Sequence, residues 1–428
     1  MSQLVHRLAR RGAILLGCAS TLLWASPAWA QSDLKLFESG NFEFNGDVRL
    51  VAVDGHKSWV DGGFGKLRSG SDGSLAVQPQ LGNVNLVWKP QFTWSVGAIV
   101  VGAVEGGQRT EAGLSQAYIT FRPMRSSSFA FSGRAGLMWP PVSLEHEGAD
   151  WHVKDSITPS AINSWIGEEV RPVAAEASFA FQIGDHKLRA TAALMAANDT
   201  SGTLLTFRGW ALHDRTTLAF NRQPLPPLDP DIADYQAPYT HPLMDISGGF
   251  ARHPGYYVKL AWAPPVPVRF ELFRYDNEAD PNSVNSDHEW GWHTSFEEAA
   301  VAAELGSGAE LKAQALSGRT LMGHIEDGLR SVHSRFRSAF VLLTRPFGPI
   351  GLAGRVDVFD TRNDGSDATS EYDEHGWSAM IAAKHEWTHF TGLVEFLHVW
   401  SRRNELQATS LSEKQPQNQL QAEVRMHW

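Results

Sequence analysis

The last ten residues of the chain, Gln419 to Trp428, alternate between apolar and polar side chains without a fault. The apolar positions are Leu420, Ala422, Val424, Met426 and Trp428. A period of two is the signature of a β-strand with one dry face and one wet face, and about ten residues is the length of a transmembrane strand. The stretch therefore predicts a membrane-spanning final strand. An amphipathic edge strand of a soluble β-protein is the alternative.

Similar strand patterns precede this segment from Phe42 onward. They cover Phe42–Val53, Leu75–Trp88, Phe92–Val104, Leu114–Phe121, Phe129–Met138, Ala175–Ile183, Leu188–Leu194, Tyr256–Ala263, Val268–Tyr275, Trp292–Leu305, Leu311–Leu316, Arg335–Thr344, Leu352–Phe359, Trp377–Trp387 and Phe390–Trp400. Short and long connections alternate between them, as short periplasmic turns and long external loops do in outer-membrane barrels. The pattern predicts an all-β fold: a transmembrane antiparallel β-barrel of sixteen strands, with eighteen as the runner-up.

Two connections decide the strand number. Leu204 to Leu212 is a weak strand candidate, which we place as a hairpin arm within a long external loop. Ser317 to His333 is interpreted as a polar external link. Counting Leu204 to Leu212 as a spanning strand would force an untypically long periplasmic turn, so sixteen is preferred.

The N-terminus and the composition fit an exported barrel. Arg7, Arg10 and Arg11 precede a short apolar run, and Ala28-Trp29-Ala30 has the form of a cleavage site. Residues 1–30 are therefore predicted to be a cleaved signal peptide, with residues 31–428 as one barrel domain. The only cysteine is Cys18, which excludes thiolate sites and disulfides after cleavage. A formal charge of −10 argues against nucleic acid as a partner.

Two segments resemble bacterial outer-membrane porins. The terminal strand is similar to the C-terminal assembly signal of such barrels, with Trp428, Met426 and Val424 at its positions. The run from Gly136 to Glu145 is similar to a segment of phosphate-selective-type porins that closes a strand and opens the third loop. Gly136, Pro141, Leu144 and Glu145 match it, whereas Val142 and Ser143 stand where that group has Phe-Gly.

The resemblance implies a sixteen-stranded pore for passive diffusion of small polar or anionic solutes. It also implies a Gram-negative outer-membrane location, a homo-trimer, and a third loop, Trp139 to Pro172, that folds into the lumen. The partners then expected are outer-membrane lipid and lipopolysaccharide, the barrel-assembly machinery and the solutes. No cofactor and no metal are expected.

Period-two alternation assigns many basic side chains to the pore wall. The predicted pore-lining residues are Arg49, Tyr118, Arg134, Arg189, Lys259, Arg269, Arg335, Arg337, Arg355, Lys384 and Arg425. The predicted constriction loop is acidic, with Glu145, Glu147, Asp150, Asp155, Glu168 and Glu169. An acidic loop opposite a basic wall would produce a transverse field that orients dipolar solutes. The alternative is that charges of both signs merely pair across strands and keep the lumen wet.

Two other functional classes stay open. Glu145, His146, Glu147, Asp150 and His152 could serve an outer-membrane enzyme as a metal or acid–base cluster, although their spacing matches no hydrolase motif. The chain could also be an exported soluble β-protein that binds glycans. We expect no enzyme activity.

Overall fold

The computed structural model describes residues 36–428 except 107, 124–125, 127, 243–253 and 408–410. Sixteen antiparallel strands form a closed barrel in which each strand pairs with its neighbours in sequence and β1 pairs with β16. The strands β1 to β16 are, in order, Phe42–Val53, Ala76–Trp88, Val96–Val104, Ala112–Phe121, Phe129–Leu137, Val173–Ile183, His186–Ala197, Gly255–Ala263, Val268–Asp276, His293–Glu304, Glu310–Glu326, Leu329–Phe347, Ile350–Asn363, Glu374–Glu386, Phe390–Arg403 and Lys414–His427. The prediction of sixteen strands is confirmed, and the signal peptide lies outside the described residues.

Connection lengths distinguish the two ends of the barrel. The connections that follow even-numbered strands are short, for example Gly184-Asp185 between β6 and β7, and they define the turn end. Most connections at the other end, the loop end, are long. The shortest is the link predicted over Ser317–His333, because β11 and β12 continue as an extended hairpin as far as Asp327-Gly328. That link prediction is wrong: the hairpin keeps its ladder of hydrogen bonds beyond the predicted strand ends.

Side chains alternate between the two faces of the wall. On β16, Leu420, Val424 and Met426 are exposed on the outer face, whereas Gln421 and Glu423 are buried inside. This is the orientation predicted for the terminal strand. A closed sheet has no unpaired edge, and an apolar outer face can contact lipid. A barrel with both features is the form in which β-structure crosses a membrane. Among the described residues, no helix is long and apolar enough to cross a membrane.

In the described part of the long loops there are three short α-helices: α1 (Ala161–Glu169), α2 (Thr203–Phe207) and α3 (Pro230–Ala233). Two-residue strand pairs also occur there, joining His146–Glu147 to His152–Val153 and Gln223–Pro224 to Tyr239–Thr240. The hairpin arm predicted over Leu204–Leu212 is therefore wrong. Its first half is α2, and residues Leu204 and Leu205 are fully buried.

The seam between β1 and β16 closes the barrel. Nine residue pairs join Asn45–Val53 to Gln419–His427. Beyond them, the Trp428 amide donates to the Phe44 carbonyl and the Phe44 amide donates to the Trp428 carbonyl, each at 2.9 Å. The Trp428 ring, 84% exposed, lies against His389 at the turn end. Trp428 thus adds the last two backbone bonds of the seam.

Replacing Trp428 with Asp is expected to impair assembly, because a charge replaces the aromatic end of the proposed assembly signal and of the seam. The amount of folded protein is measured as the fraction whose gel mobility changes on boiling. Trp94→Asp is the control, since Trp94 is also a highly exposed tryptophan, at 75%. Equal yields of folded Trp428→Asp and Trp94→Asp would contradict the role assigned to Trp428.

Candidate channel interior

The third long loop, residues 138–172, lies inside the barrel and is anchored to the wall by Arg355. The Arg355 guanidinium on β13 donates to Glu145 Oε1 at 2.9 Å, to the Thr158 carbonyl at 2.7 Å and to the Pro159 carbonyl at 2.9 Å. Arg355 and Glu145 are both buried. Charged hydrogen bonds are stronger than neutral ones, so this arginine fixes the loop at three points.

Further wall residues hold the same loop. Asp155 receives Lys384 Nζ at 3.0 Å and Lys312 Nζ at 3.3 Å. Arg425 on β16 donates to the Val153 and Ser156 carbonyls at 2.5 and 2.8 Å. Lys259 on β8 donates to the Pro141 carbonyl at 2.5 Å. These contacts reach strands on both sides of the lumen, so the loop folds into the barrel as predicted.

Helix α1 begins inside the lumen because its free amides find oxygen acceptors there. Ser160 is the N-cap, and its hydroxyl accepts from the Asn163 amide at 3.3 Å. Asp357 of the wall accepts from the Ala161 amide, and Glu395 accepts from the Ile157 and Thr158 amides just before the helix. Negative carboxylates near a helix N-terminus are favourable. The wall thus both orients α1 and satisfies its first turn.

Most of the predicted constriction acids are paired. Besides Glu145 and Asp155, Glu168 bonds Arg208 at 2.6 Å and lies 3.2 Å from His213 Nε2. Glu169 accepts from the Gly202 and Leu204 amides at 3.0 and 3.1 Å. Glu168 and Glu169 are completely enclosed. They stabilise the contact between two loops, so they form no acidic face of a constriction.

His152 lies between a partly exposed acid, Glu147, and a buried one, Asp150. Although burial disfavours a charged ring, hydrogen bonds to Asp150 and Glu147 raise the pKa of His152 to about 9. The hydrogen bond from His152 lowers the pKa of Glu147 to about 2. His152 is consequently positive at neutral pH, and it offsets part of the acidity of this loop.

A second inserted segment, residues 198–242, fills much of the loop end of the lumen; we call it the plug. It contains α2 and α3. At one wall, Thr206 Oγ1 lies 2.8 Å from Ser334 Oγ on β12. Five strands away around the barrel, Arg49 Nη2 of β1 donates to Asp214 Oδ2 at 2.7 Å. The plug therefore crosses the interior of the barrel.

The plug has an aromatic core that it shares with α1 and the wall. Trp210 lies 6.1 Å from Trp165 of α1 and 6.2 Å from Phe336 of β12, between ring centroids. Trp165, Trp210 and Phe336 are completely buried. The Trp210 amide donates to Glu374 at 2.9 Å, and its indole nitrogen donates to the Asp360 carbonyl at 3.1 Å. An enclosed tryptophan of this kind contributes several kcal/mol to local stability, roughly 3–5 by comparison with truncation.

Buried ion pairs surround this core. Asp214 bridges Arg49, at 2.7 Å, and Arg68, at 3.1 Å, and Arg68 also bonds Glu105 at 2.7 Å. Lys66 bonds Glu374 at 2.6 Å. Charges taken out of water need partners and additional hydrogen bonds to be tolerated. The first loop and the plug are thus tied to the wall by reciprocal charges.

On each side of the third loop, a cavity lies toward the turn end. The first, about 460 Å³, runs along β1, β14 and β16 and contains six carboxylates against four lysines and arginines. The second, about 710 Å³, runs along β5 to β9. Its charged lining residues are Arg134, Lys187, Arg189, Lys259, Arg269, Glu176 and Glu271. We call the second cavity the basic vestibule.

The ion pairs within the basic vestibule do not neutralise all of its positive charge. Arg134 forms a bidentate pair with Glu176, with both distances 2.8 Å. Glu271 is shared by Lys259 at 2.7 Å and Arg269 at 2.9 Å. In the described part of the chain, Lys187 and Arg189 have no ion-pair partner. Both are exposed to the cavity.

Nine of the predicted pore-lining residues face the interior: Arg49, Tyr118, Arg134, Arg189, Lys259, Arg269, Arg355, Lys384 and Arg425. Arg335 and Arg337 do not, and the prediction that they line the pore is wrong. On β12 the buried side chains are Val332, Ser334, Phe336, Ser338, Phe340 and Leu342, so the odd-numbered residues point outward. Apolar residues face inward there because the plug supplies an apolar partner.

The sequence interpretation missed Lys187 and the residues of the plug. Lys187 lies two positions before Arg189 and so shares its face, but the strand was predicted to begin only at Leu188. The plug had a detectable signal in the apolar residues from Leu204 to Leu212. A run of that length does not distinguish a strand from a buried helix by periodicity alone.

The residues considered for catalysis are engaged in structural contacts. Glu145 bonds Arg355, Ser160 and Asn163. The His146 ring stacks on Trp151 with centroids 3.6 Å apart. A different group, Asp276, Glu278 and His293, has ligand atoms within 4.8 Å of one another and could share a cation. His293 already bonds Asp276 at 3.0 Å, as an ordinary ion-pair cluster would.

No protein-family model and no curated protein matches this chain. Solved structures do match in shape. The outer membrane channel DcaP of Acinetobacter baumannii is 10% identical and aligns over 91% of this chain and 99% of its own, with a TM-score of 0.54. A loop-deletion mutant of OmpT, an outer membrane protein of Vibrio cholerae, is 8% identical over 90% and 99%, with a TM-score of 0.48. An anion-selective porin from Comamonas acidovorans is 9% identical over 90% and 98%, with a TM-score of 0.45. At 10% identity the similarity to DcaP shows the fold alone, a transmembrane β-barrel.

Proposed function

We propose that the protein is an outer-membrane channel for the passive diffusion of small polar solutes, with a preference for anions. The observation that carries the proposal is the basic vestibule, with five lysines and arginines and two glutamates around about 710 Å³ inside a closed sixteen-stranded barrel. Sixteen strands enclose more space than the wall side chains fill. A solvent-filled mouth with excess positive charge raises the local concentration of anions.

In this proposal, solutes pass through the barrel only when the plug moves. Its aromatic core occupies the loop end of the lumen, so a solute leaving the basic vestibule meets folded protein. Passage therefore requires part of residues 198–242 to move. In this proposal the channel is gated: the closed arrangement is the one described, and conduction follows the population of a displaced plug.

The other functional classes fit the structure less well. A soluble glycan-binding β-protein would not carry an apolar band around a closed barrel, as Leu420, Val424 and Met426 indicate on β16. An enzyme would need polar groups free to act, whereas Glu145 and Asp155 are bonded to the wall. We therefore propose a channel and not an enzyme. Assembly as a homo-trimer and interaction with the barrel-assembly machinery remain predictions.

Removing the two unpaired charges of the basic vestibule is expected to reduce anion preference. In Lys187→Gln/Arg189→Gln, the anion-to-cation permeability ratio should fall roughly two- to threefold, because each charge in a wet mouth contributes only a few tenths of a kcal/mol. The ratio is obtained from reversal potentials in planar bilayers under a salt gradient. The control is Arg335→Gln/Arg337→Gln, since these arginines lie on the outer face. Equal ratios in the two double variants would contradict the assignment of the vestibule.

Truncating the plug core is expected to open the channel. Trp210→Ala removes contacts worth roughly 3–5 kcal/mol, so the displaced state should become at least about tenfold more populated and mean conductance should rise. The measurement is single-channel recording. Phe220→Ala is the control, because Phe220 lies in the same segment but is 79% exposed. Leu212→Ala provides a second, milder truncation of the same core.

Heat-modifiable gel mobility must show that these variants are folded barrels. Wild-type conductance in folded Trp210→Ala and in folded Leu212→Ala would contradict a gating role for the plug. It would also show that solutes follow another route.

A further inference from the structure

A row of outward-facing polar and charged residues marks the loop-end limit of the apolar band on β9 to β13. Cross-strand pairing places Arg274 beside Glu297, Glu297 beside Ser317, Ser317 beside Arg337, and Arg337 beside Asp360. On the turn-end side of this row the outer face is apolar, with Ala315, Ala339 and Val358 two positions away on their strands. The row therefore lies where the hydrocarbon of a membrane gives way to headgroups.

One step further toward the loop end, three arginines stand side by side. Arg319 of β11 pairs in register with Arg335 of β12, which pairs with Arg362 of β13. We call these residues the arginine row. Directly opposed residues have Cβ atoms about 4.5–5.5 Å apart, and like charges in such positions repel. Three neighbouring guanidinium groups on one face need negative charge beside them.

The chain supplies only part of that charge. Asp364 bonds Arg335 at 2.6 Å, and Asp360 bonds Arg337 at 2.9 Å and Arg362 at 3.3 Å. Asp364 is also shared with His333 at 2.8 Å. Within the described ranges, Arg319 has no ion-pair partner. The side chains of Arg335, Arg337 and Arg362 are each more than half exposed. The patch thus keeps accessible, unbalanced positive charge.

A groove of about 640 Å³ lies on the outer face directly below this patch. Its floor contains small and apolar residues, including Ala299, Ala315, Ala339 and Val358, and its rim carries Glu297, Arg337 and Asp360. Small side chains on adjacent strands make the wall thin at this point. The groove is therefore apolar at one end and lined by charged side chains at the other.

We propose that the arginine row and this groove bind the phosphorylated headgroup and one acyl chain of an anionic glycolipid of the outer leaflet. This rests on the proposed outer-membrane channel, in which the long loops are external and the loop end faces the outer leaflet. Phosphate oxygens accept from neighbouring guanidinium groups, which relieves the repulsion between Arg319, Arg335 and Arg362. An acyl chain fits the groove of alanines beneath. Molecules that combine phosphate and hydrocarbon at a membrane boundary are lipids, and arginines there attract anionic headgroups.

The proposal is tested with the full barrel, purified in detergent and stripped of bound lipid. The probes are diphosphoryl lipid A, the same lipid without its phosphates, and inorganic phosphate. Dissociation constants are compared between wild type, Arg319→Gln/Arg335→Gln, and the control Arg122→Gln/Arg345→Gln. The control also loses two positive charges, but at exposed positions near the turn end.

The expected result is that Arg319→Gln/Arg335→Gln binds diphosphoryl lipid A at least about tenfold more weakly, whereas the control binds as wild type does. The phosphate-free lipid should bind more weakly than lipid A and should not distinguish the variants. Equal loss in both variants, or equal affinity for the phosphate-free lipid, would overturn the site. Inorganic phosphate binding as tightly as lipid A would make it a free-anion site and also overturn the proposal.

A second copy of the chain could cover the same face instead of a lipid. Measuring the oligomeric state of each variant distinguishes these two possibilities. Light scattering should show the same assembly for wild type and Arg319→Gln/Arg335→Gln. Dissociation in this variant alone would show that the face is a contact between protomers, and the lipid site would be rejected.

Discussion

Every backbone amide and carbonyl of a spanning segment must find its partner within the protein, because hydrocarbon supplies none. In this chain the requirement is met by closing the sheet: Asn45–Val53 pairs with Gln419–His427, so the first and last strands have no free edge. Closure fixes the alternation of faces along all sixteen strands. It also creates an interior far wider than a layer of side chains. The remaining features follow from how that interior is filled and balanced.

The interior is filled by two loops, and their charges are matched to those of the wall. Arg355 and Glu145, Lys384 and Asp155, and Arg49 and Asp214 each join a strand to an inserted segment. A buried charge that lost its partner would cost several kcal/mol, so each pair discourages the loop from leaving. Pairing is uneven, and this matters for function: Arg49 and Asp214 tie the plug to the wall, whereas Lys187 and Arg189 in the basic vestibule have no ion-pair partner among the described residues.

The strands were predictable because their period and their turns are local. Phe42–Val53 has the predicted bounds, and the outward set of β16 is as the alternation indicated. The contents of the lumen were not. Arg335 and Arg337 were assigned to the wrong face because Phe336, Phe340 and Leu342 look lipid-facing, yet they pack inward against Trp165 and the rest of the plug core. Long-range packing decides whether an apolar strand face contacts lipid or the packed interior, and the sequence of a single strand does not contain that information.

The same limit applies to the third loop. Its acids were visible in the sequence, but not which of them would meet a wall arginine and which would face water. The sequence predicted one acidic constriction with a transverse field. The structure instead has a cavity with more acids on one side of the loop and a cavity with more bases on the other.

The central claim is that residues 198–242 occupy the lumen and control passage through it. A cysteine pair at Gly113 and Leu218 tests it directly, since a Cβ built at Gly113 lies 3.6 Å from the Leu218 Cβ, within disulfide range. Cys18, the only native cysteine, lies in the predicted signal peptide, so the mature barrel is expected to carry no other thiol. Our account predicts that the pair oxidises readily in the folded barrel, that the oxidised channel shows fewer openings than wild type, and that reduction restores them. Failure of the pair to form a disulfide, or conductance that is the same before and after reduction, would contradict the account.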